Sequence, residues 1–272
     1  MNLGFMQGRL VNSEKKNRIQ YFPIKNWKKE ILIASTIKEI KLIEWTVNLE
    51  KIDKNPLHNY YKLKQIRLEL KKYKIKLNSV TCDFFMESPF FKKKNNFQEI
   101  NLLKRIIKNS LKLGIKYFIL PLVDKSSIKN ERQEKYLVQI LNKEIYPLIK
   151  KTRSMILFEI DYPPKKILKF IKNFNTNKFG INYDTGNSAS LNYSFNQEKV
   201  YFEFVKNIHI KDRIKFGSTV LLGKGNYKFK PFFEYIKKIR YNGNLILQTA
   251  RSKDNNHVVE LYNNINFVKK FL

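Results

Sequence analysis

The stretch MILFEIDYPPKKILKFIKNFNTNKFGINYD, residues 155–184, decides the fold. It begins with Met155–Ile160, a short apolar run typical of a strand that is buried on both faces. Pro163–Asn173 follows with apolar residues at helical spacing and with prolines in its first turn, where proline is tolerated. A second short apolar run, Gly180–Tyr183, predicts another strand. The stretch is therefore predicted to form strand, helix and strand, the unit of a parallel sheet.

The same alternation extends outward to both ends of the chain, with eight short apolar segments that each precede a longer amphipathic one. The other predicted strands are Leu3–Met6, Lys41–Trp45, Leu77–Cys82, Tyr117–Leu120, Asn207–Ile210 and Leu245–Leu247. The other predicted helices are Trp27–Ile37, Asn59–Tyr73, Gln98–Leu113, Arg132–Lys150, Gln197–Val205, Pro231–Arg240 and Val258–Phe271.

Eight such units favour a (β/α)8 barrel over a doubly wound open sheet. A nucleotide-binding open sheet would show a Gly-rich first turn of the GxGxxG type, whereas the first turn here is GFMQGRL. The length of 272 residues also suits one barrel of about 250 residues. The sequence therefore predicts an α/β fold: a single TIM-barrel domain over residues 1–272.

Composition limits the setting in which the chain acts. The sequence has no apolar run of 18 residues, and its N-terminus lacks a basic region followed by an apolar stretch. The single cysteine, Cys82, excludes an internal disulfide framework. These features predict a cytoplasmic protein without a membrane partner.

The formal net charge of +31 raises the question of nucleic acid as a partner. Lys outnumbers Arg about five to one and is scattered along every predicted helix, whereas groove and phosphate recognition favour Arg. We interpret the excess as solvated basic faces whose field would steer anionic substrates such as phosphorylated sugars. Nucleic acid is not the expected partner, and a homo-oligomer is left open.

The polar residues that follow the predicted strands indicate the chemistry, because the active site of a TIM barrel lies at the C-terminal strand ends. Four successive strands end at Glu159, Asp184, His209 and Gln248. Taken singly, such a Glu is commonly ion-paired and such a His structural. Together, two carboxylates, an imidazole and an amide oxygen suit Mn²⁺, Mg²⁺ or Co²⁺. A metal that polarises a carbonyl, beside a carboxylate that moves a proton, would serve a keto-sugar isomerase or epimerase.

At these residues the sequence resembles the xylose-isomerase-like sugar phosphate isomerase/epimerase superfamily. The resemblance covers essentially the whole chain, and HIKD followed by a glycine turn is its most specific part. The segments are GFMQGRL (4–10), LIEW (42–45), SVTCDFF (79–85), FEID (158–161), INYDTGNSASL (181–191), NIHIKDR (207–213), LLGKGNYKF (221–229) and LILQTAR (245–251).

The resemblance implies a divalent metal (Mn, Mg, Co or Zn) bound by Glu, Asp, His and Glu at the ends of the last four strands. Glu159, Asp184 and His209 match the first three, but the fourth position holds Gln248. Both glutamates of the family usually serve as an acid/base pair, and an amide cannot take up a proton near neutral pH. Glu159 therefore stays the expected catalytic base.

Two further carboxylates, Glu44 and Asp83, are candidates to supply the missing base. Asn187 stands where relatives often carry a substrate-contacting His, and an Asn there can still hydrogen-bond a hydroxyl.

A group of cations near the strand ends predicts an anionic end on the substrate, since Arg pairs bidentately with phosphate. The group comprises Arg9, Lys211, Arg213 and Arg251. Arg213 and Arg251 could instead pair with Asp212 or Asp184 and orient the ligands. Asp83 and Asn187 complete the predicted substrate contacts.

The main hypothesis is a metal-dependent isomerase or epimerase of a ketose or ketose phosphate, acting through an enediol. A lyase or dehydratase on the same barrel is an alternative. So is a non-catalytic sugar-binding barrel with a degraded metal site, which the glutamine at position 248 keeps open. A DNA-repair endonuclease with a three-zinc cluster is disfavoured, because the chain has only three His residues. Asn12–Asn26 and Pro89–Asn96 are predicted loops over the site.

Overall fold

Eight parallel strands close into a barrel in the computed structural model, which describes residues 1–12, 20–252 and 254–272. Each barrel strand pairs with the next along the chain, and the last pairs with the first. The barrel strands are β1 (Asn2–Met6), β2 (Leu42–Thr46), β3 (Lys76–Thr81), β4 (Tyr117–Leu122), β5 (Met155–Ile160), β6 (Phe179–Asp184), β7 (Val205–Ile210) and β10 (Asn244–Leu247). Between β7 and β10 the chain forms a separate antiparallel hairpin of β8 (Asp212–Arg213) and β9 (Thr219–Val220). The predicted (β/α)8 barrel is confirmed, and each predicted strand overlaps an observed one.

Helices cover the outside of the barrel. They are α1 (Trp27–Ser35), α2 (Leu63–Tyr73), α3 (Asp83–Glu87), α4 (Phe97–Lys112), α5 (Glu131–Ile140), α6 (Tyr146–Ile149), α7 (Pro164–Ile171), α8 (Thr185–Leu191), α9 (Phe195–Glu198), α10 (Phe229–Lys238) and α11 (His257–Lys269). The predicted helix Arg132–Lys150 is observed as α5 and α6 joined by a π-helical segment, Leu141–Ile145. No helix in the described part of the chain is both long and apolar enough to cross a membrane.

The connection between β6 and β7 differs from the prediction. In place of one helix over Gln197–Val205, the chain forms α8 and α9 and then 3₁₀ turns over Lys199–Phe204. Helix α8 has the sequence TGNSASL, whose small polar residues have low helix propensity. It forms because Asp184 caps its N-terminus and because the helix is packed against β7 and β8.

Alternation along each strand separates the core from the site. On β5, Phe158 packs against the rings of Phe170 and Phe174, with ring centroids 5.1 and 5.0 Å away. Successive side chains of a strand point to opposite faces, so Glu159 is turned to the inside of the barrel. The aromatic layer beneath α7 therefore fixes the strand that presents Glu159.

Candidate metal centre and active-site cavity

Three predicted metal ligands meet at the C-terminal ends of β5, β6 and β7. One ligand atom from each of Glu159, Asp184 and His209 lies within 4.8 Å of the other two. His209 Nδ1 is 3.1 Å from Glu159 Oε2 and 3.9 Å from Asp184 Oδ2. Ligand atoms at these separations can all reach one ion at bond lengths of about 2.1 Å. The structure therefore brings these three residues together as a group that could hold a metal.

Both carboxylates of this group are held by hydrogen bonds. Glu159 Oε1 accepts from Asn187 Nδ2 at 2.8 Å, and its Oε2 accepts from Asn182 Nδ2 at 3.1 Å. Asp184 Oδ1 accepts the backbone N–H groups of Gly186 and Asn187 at the start of α8, which leaves its Oδ2 facing Lys211 Nζ at 3.0 Å. Each carboxylate is thus fixed before any ligand binds.

Glu44 lies beneath His209 and not beside the substrate space. It is fully buried, and its Oε1 is 2.6 Å from His209 Nε2. The hydroxyls of Ser79 and Thr81 and the amide of Asn207 also donate to its two oxygens. Glu44 was predicted as a candidate second base, but its carboxylate is enclosed by donors from the barrel interior and does not line the cavity.

The charge state of His209 follows from this surrounding. Burial disfavours the charged imidazole, but the carboxylates of Glu44 and Glu159 outweigh burial and raise the pKa of His209 to about 10. Burial opposes ionisation of Glu44 too, yet its contact with His209 holds the pKa of that carboxyl below its usual value. When no metal ion is bound, His209 is therefore a protonated imidazolium between the two carboxylates.

Gln248, the fourth predicted ligand, has a buried side-chain oxygen. Its Nε2 donates to Gln20 Oε1 at 2.7 Å. Its Oε1 has no hydrogen-bond partner among the residues that the structure describes. A buried acceptor without a donor is costly, and a cation would satisfy it. The side chains present thus fit a hard divalent cation.

A cavity of about 540 Å³ adjoins the group at Glu159, and Gln248 lines it too. Asp83, at the start of α3, lines it as well and accepts from Gln20 Nε2 and Asn48 Nδ2. Burial raises the pKa of Asp83 to about 7. The cavity therefore has one carboxylate beside the candidate metal position and another that titrates near neutral pH.

Three of the four predicted cations line the cavity: Arg9, Lys211 and Arg213. The guanidinium of Arg213 donates to Gly217 O and not to Asp212, whose carboxylate accepts the backbone N–H groups of Arg213 and of the turn over residues 223–227. Arg251, which was predicted to contact the substrate, does not line the cavity. Its guanidinium donates to Val11 O and contacts His257 Nε2.

Gln20 and Asn48 belong to the cavity but were not identified from the sequence. Both lie in loops, where no periodic pattern or motif marks a side chain as turned toward the site. Residues 13–19 of the predicted loop Asn12–Asn26 lie outside the described residues. In the other predicted loop, Phe90 and Phe91 are buried against Phe85, which indicates packing instead of contact with a sugar.

Comparisons with known proteins agree with this geometry. Residues 36–269 match the family described as Xylose isomerase-like TIM barrel. A xylose isomerase domain protein from Planctomyces limnophilus has a TM-score of 0.76 at 13% identity, over 99% of this chain and 96% of that one. D-Psicose 3-epimerase from Clostridium cellulolyticum H10, solved with D-tagatose, has a TM-score of 0.74 at 12% identity, over 100% and 99%.

The IOLI protein, solved with a bound zinc atom, has a TM-score of 0.75 at 16% identity, over 100% of this chain and 99% of that one. No curated protein matches the chain. At these identities the solved structures establish a shared fold.

Proposed function

We propose that this chain, which belongs to the xylose isomerase-like TIM-barrel family, is an enzyme, namely a metal-dependent isomerase or epimerase of a ketose or ketose phosphate. The observation that carries the proposal is the group of Glu159, Asp184 and His209, which reaches the cavity through Glu159, together with the buried oxygen of Gln248, a second residue of the cavity lining. Solved relatives with this fold include a sugar epimerase and a zinc-bound protein, which supports the same assignment.

The four residues Glu159, Asp184, His209 and Gln248 would hold the cation, with Mn²⁺, Mg²⁺, Co²⁺ or Zn²⁺ as candidates. When bound there, such an ion supplies Lewis-acid polarisation of a substrate carbonyl. Glu44 is then a positioning residue. Its contact with Nε2 of His209 directs Nδ1 toward Glu159 and Asp184, as carboxylates beneath metal-binding histidines do.

Glu159 would take the proton from the carbon beside the carbonyl, because it lines the cavity and its two oxygens are oriented by Asn182 and Asn187. Asp83 is the better placed of the two candidates for the second proton-transfer group. It faces the cavity, whereas Glu44 is enclosed below the metal group. Isomerisation through one base needs Glu159 alone, and epimerisation would also use Asp83.

The anionic end of a ketose phosphate would be held by Arg9, Lys211 and Arg213, which line the same cavity. Asn187, which spans Glu159 and Arg213, would hydrogen-bond a substrate hydroxyl. Arg251 would act through the loop after β1, to which it donates at Val11 O.

Gln248 favours a second candidate function, a non-catalytic sugar-binding barrel whose metal site has degraded. A lyase or dehydratase would use the same residues and differ only in losing a hydroxyl, so analysis of the product separates it from an isomerase. Gln248→Glu distinguishes the isomerase from the sugar-binding barrel. The substitution would change the activity of an enzyme and would leave a binding protein without activity.

The first test is the metal content of the dialysed protein by mass spectrometry. We expect near-stoichiometric Mn, Co, Mg or Zn, lost in His209→Ala and kept in His58→Ala, whose imidazole contacts Arg105. Ketoses and ketose phosphates incubated in D₂O should then exchange a sugar C–H proton, measured by NMR. A protein that holds no metal, even after Mn²⁺ or Co²⁺ is added, would refute the metal-dependent enzyme and leave a metal-free enzyme or the sugar-binding barrel.

A further inference from the structure

We infer that Gln20 is a positioning residue for the metal site: it fixes the side-chain amide of Gln248 so that the nitrogen meets Gln20 and the buried oxygen is left available to the cation. The inference rests on the proposed function, since it concerns how this chain's own residues receive the cation. Gln20 links two cavity residues, Asp83 and Gln248, through one side chain.

The direction of the link is set at Asp83. Gln20 Nε2 donates to both carboxylate oxygens of Asp83, at 2.8 and 2.7 Å. When Asp83 is ionised, its carboxylate only accepts hydrogen bonds, so the amide of Gln20 then turns its nitrogen to Asp83 and its oxygen away. Asn48 holds Asp83 in place, because its Nδ2 donates to Asp83 Oδ2 at 3.2 Å while its Oδ1 accepts from Phe22 N.

The same pairing of donor with acceptor then fixes the orientation of the Gln248 amide. The oxygen of Gln20 faces Gln248, so Gln248 must present its nitrogen there, at 2.7 Å. The opposite amide orientation would bring two oxygens together and would aim an NH₂ group at the cation. Asp83 and Gln248 are 4% and 5% exposed, so a wrong orientation would leave largely buried polar atoms without suitable partners.

An amide ligand needs a neighbour that fixes its orientation, and a carboxylate ligand does not. The two oxygens of a glutamate are equivalent ligands, whereas a glutamine has one end that binds a cation and one that repels it. The chain of hydrogen bonds from Asp83 through Gln20 thus lets a glutamine serve where a glutamate would need no partner.

The test is the affinity for Mn²⁺, measured by titration calorimetry and by the EPR signal of free Mn²⁺. We expect Gln20→Ala to weaken binding about tenfold, in the range found for residues that orient metal ligands. Gln98→Ala, an exposed change on α4, is the matched control and should bind as the wild type does. In the Gln248→Glu background, where a carboxylate oxygen would meet the oxygen of Gln20, Gln20→Ala should not weaken the affinity.

The outcomes separate the two proposals. If wild type does not bind Mn²⁺, the proposed function fails and the inference falls with it. If wild type binds and Gln20→Ala binds equally well, only the inference is overturned. Equal weakening in both backgrounds also overturns it, because a purely structural role would not depend on residue 248. Asp83→Leu is the second variant. It removes the acceptor that orients Gln20 and should also weaken Mn²⁺ binding only when residue 248 is a glutamine.

Discussion

At the scale of the residue, His209 is fixed on two sides by opposite charge. Glu44 lies 2.6 Å from its Nε2 and Glu159 lies 3.1 Å from its Nδ1. Three neutral donors complete the shell of Glu44. Buried charges in such a network depend on one another, because the removal of one partner leaves the rest unpaired in a low dielectric.

We therefore expect Glu44→Gln to lower the free energy of unfolding by about 3–5 kcal/mol, the cost of breaking a buried ion pair. The substituted amide cannot accept from all four neighbouring donors, and His209 loses a counter-charge. Urea unfolding with EDTA present measures this without any metal. Glu131→Gln, at a side chain that is 87% exposed, is the control and should change stability little. Equal stability of both variants would contradict the network.

Residues at strand ends could be predicted from the sequence, because closure of the barrel brings the C-terminal strand ends together. Glu159, Asp184 and His209 were found in this way and do meet. The role of Glu44 could not be predicted, since its position one layer lower depends on how the strands are staggered. Gln20 could not be found at all, because its contact with the cavity depends on the path of a loop.

At the scale of the element, α1 holds the loop that follows β1. Glu30 of α1 is fully buried and accepts the backbone N–H groups of Gly8 and Leu10, at 2.8–2.9 Å. Gly8 has φ +87°, and a Cβ there would lie 2.3 Å from Tyr21 O. The helix and the glycine together shape the loop that delivers Arg9 to the cavity.

The buried Glu30 carboxyl should make the free energy of unfolding depend on pH. Burial raises the pKa of Glu30 from 4.5 to about 7, so the folded chain binds this proton more tightly than the unfolded chain does. The stabilisation from this tighter proton binding at Glu30 is complete below about pH 4.5. It falls by about 1.4 kcal/mol per pH unit as the pH rises toward 7. Urea unfolding at pH 5 and pH 7 should show that wild type loses about 2 kcal/mol more than Glu30→Gln.

Other carboxylates titrate in the same window, so the comparison between variants isolates Glu30. The exposed Glu234→Gln on α10 should lose as much stability as wild type over this interval. An equal loss of stability in Glu30→Gln would show that Glu30 does not bind a proton more tightly in the folded state than in the unfolded state.

The strands were easier to predict than the connections between them. A buried strand such as β5 is marked by its own apolar residues. Helix α8 carries no such mark. Its small polar residues are helical because the cap at Asp184 and tertiary packing override their propensity. The same cap orients a candidate metal ligand, so the element hardest to predict is one that helps to build the candidate site.

At the scale of the whole molecule, the excess of positive charge cannot be neutralised internally. The chain has 54 Lys and Arg residues against 23 Asp and Glu. Even if every acid were paired, 31 cations would lack an acidic partner. Their summed field extends into the cavity, whose lining includes Arg9, Lys125, Lys211 and Arg213.

We therefore expect kcat/KM for a ketose phosphate to fall about tenfold as ionic strength rises from about 0.01 to 0.15 M, because the Debye length shrinks from about 30 to 8 Å. For the matching neutral ketose it should stay nearly constant. The triple variant Lys71→Gln, Lys165→Gln, Lys237→Gln changes exposed side chains on α2, α7 and α10. It should reduce the salt dependence for the phosphate and leave the neutral ketose unaffected. The same salt response for both substrates would mean that the charge serves solubility and does not steer the substrate.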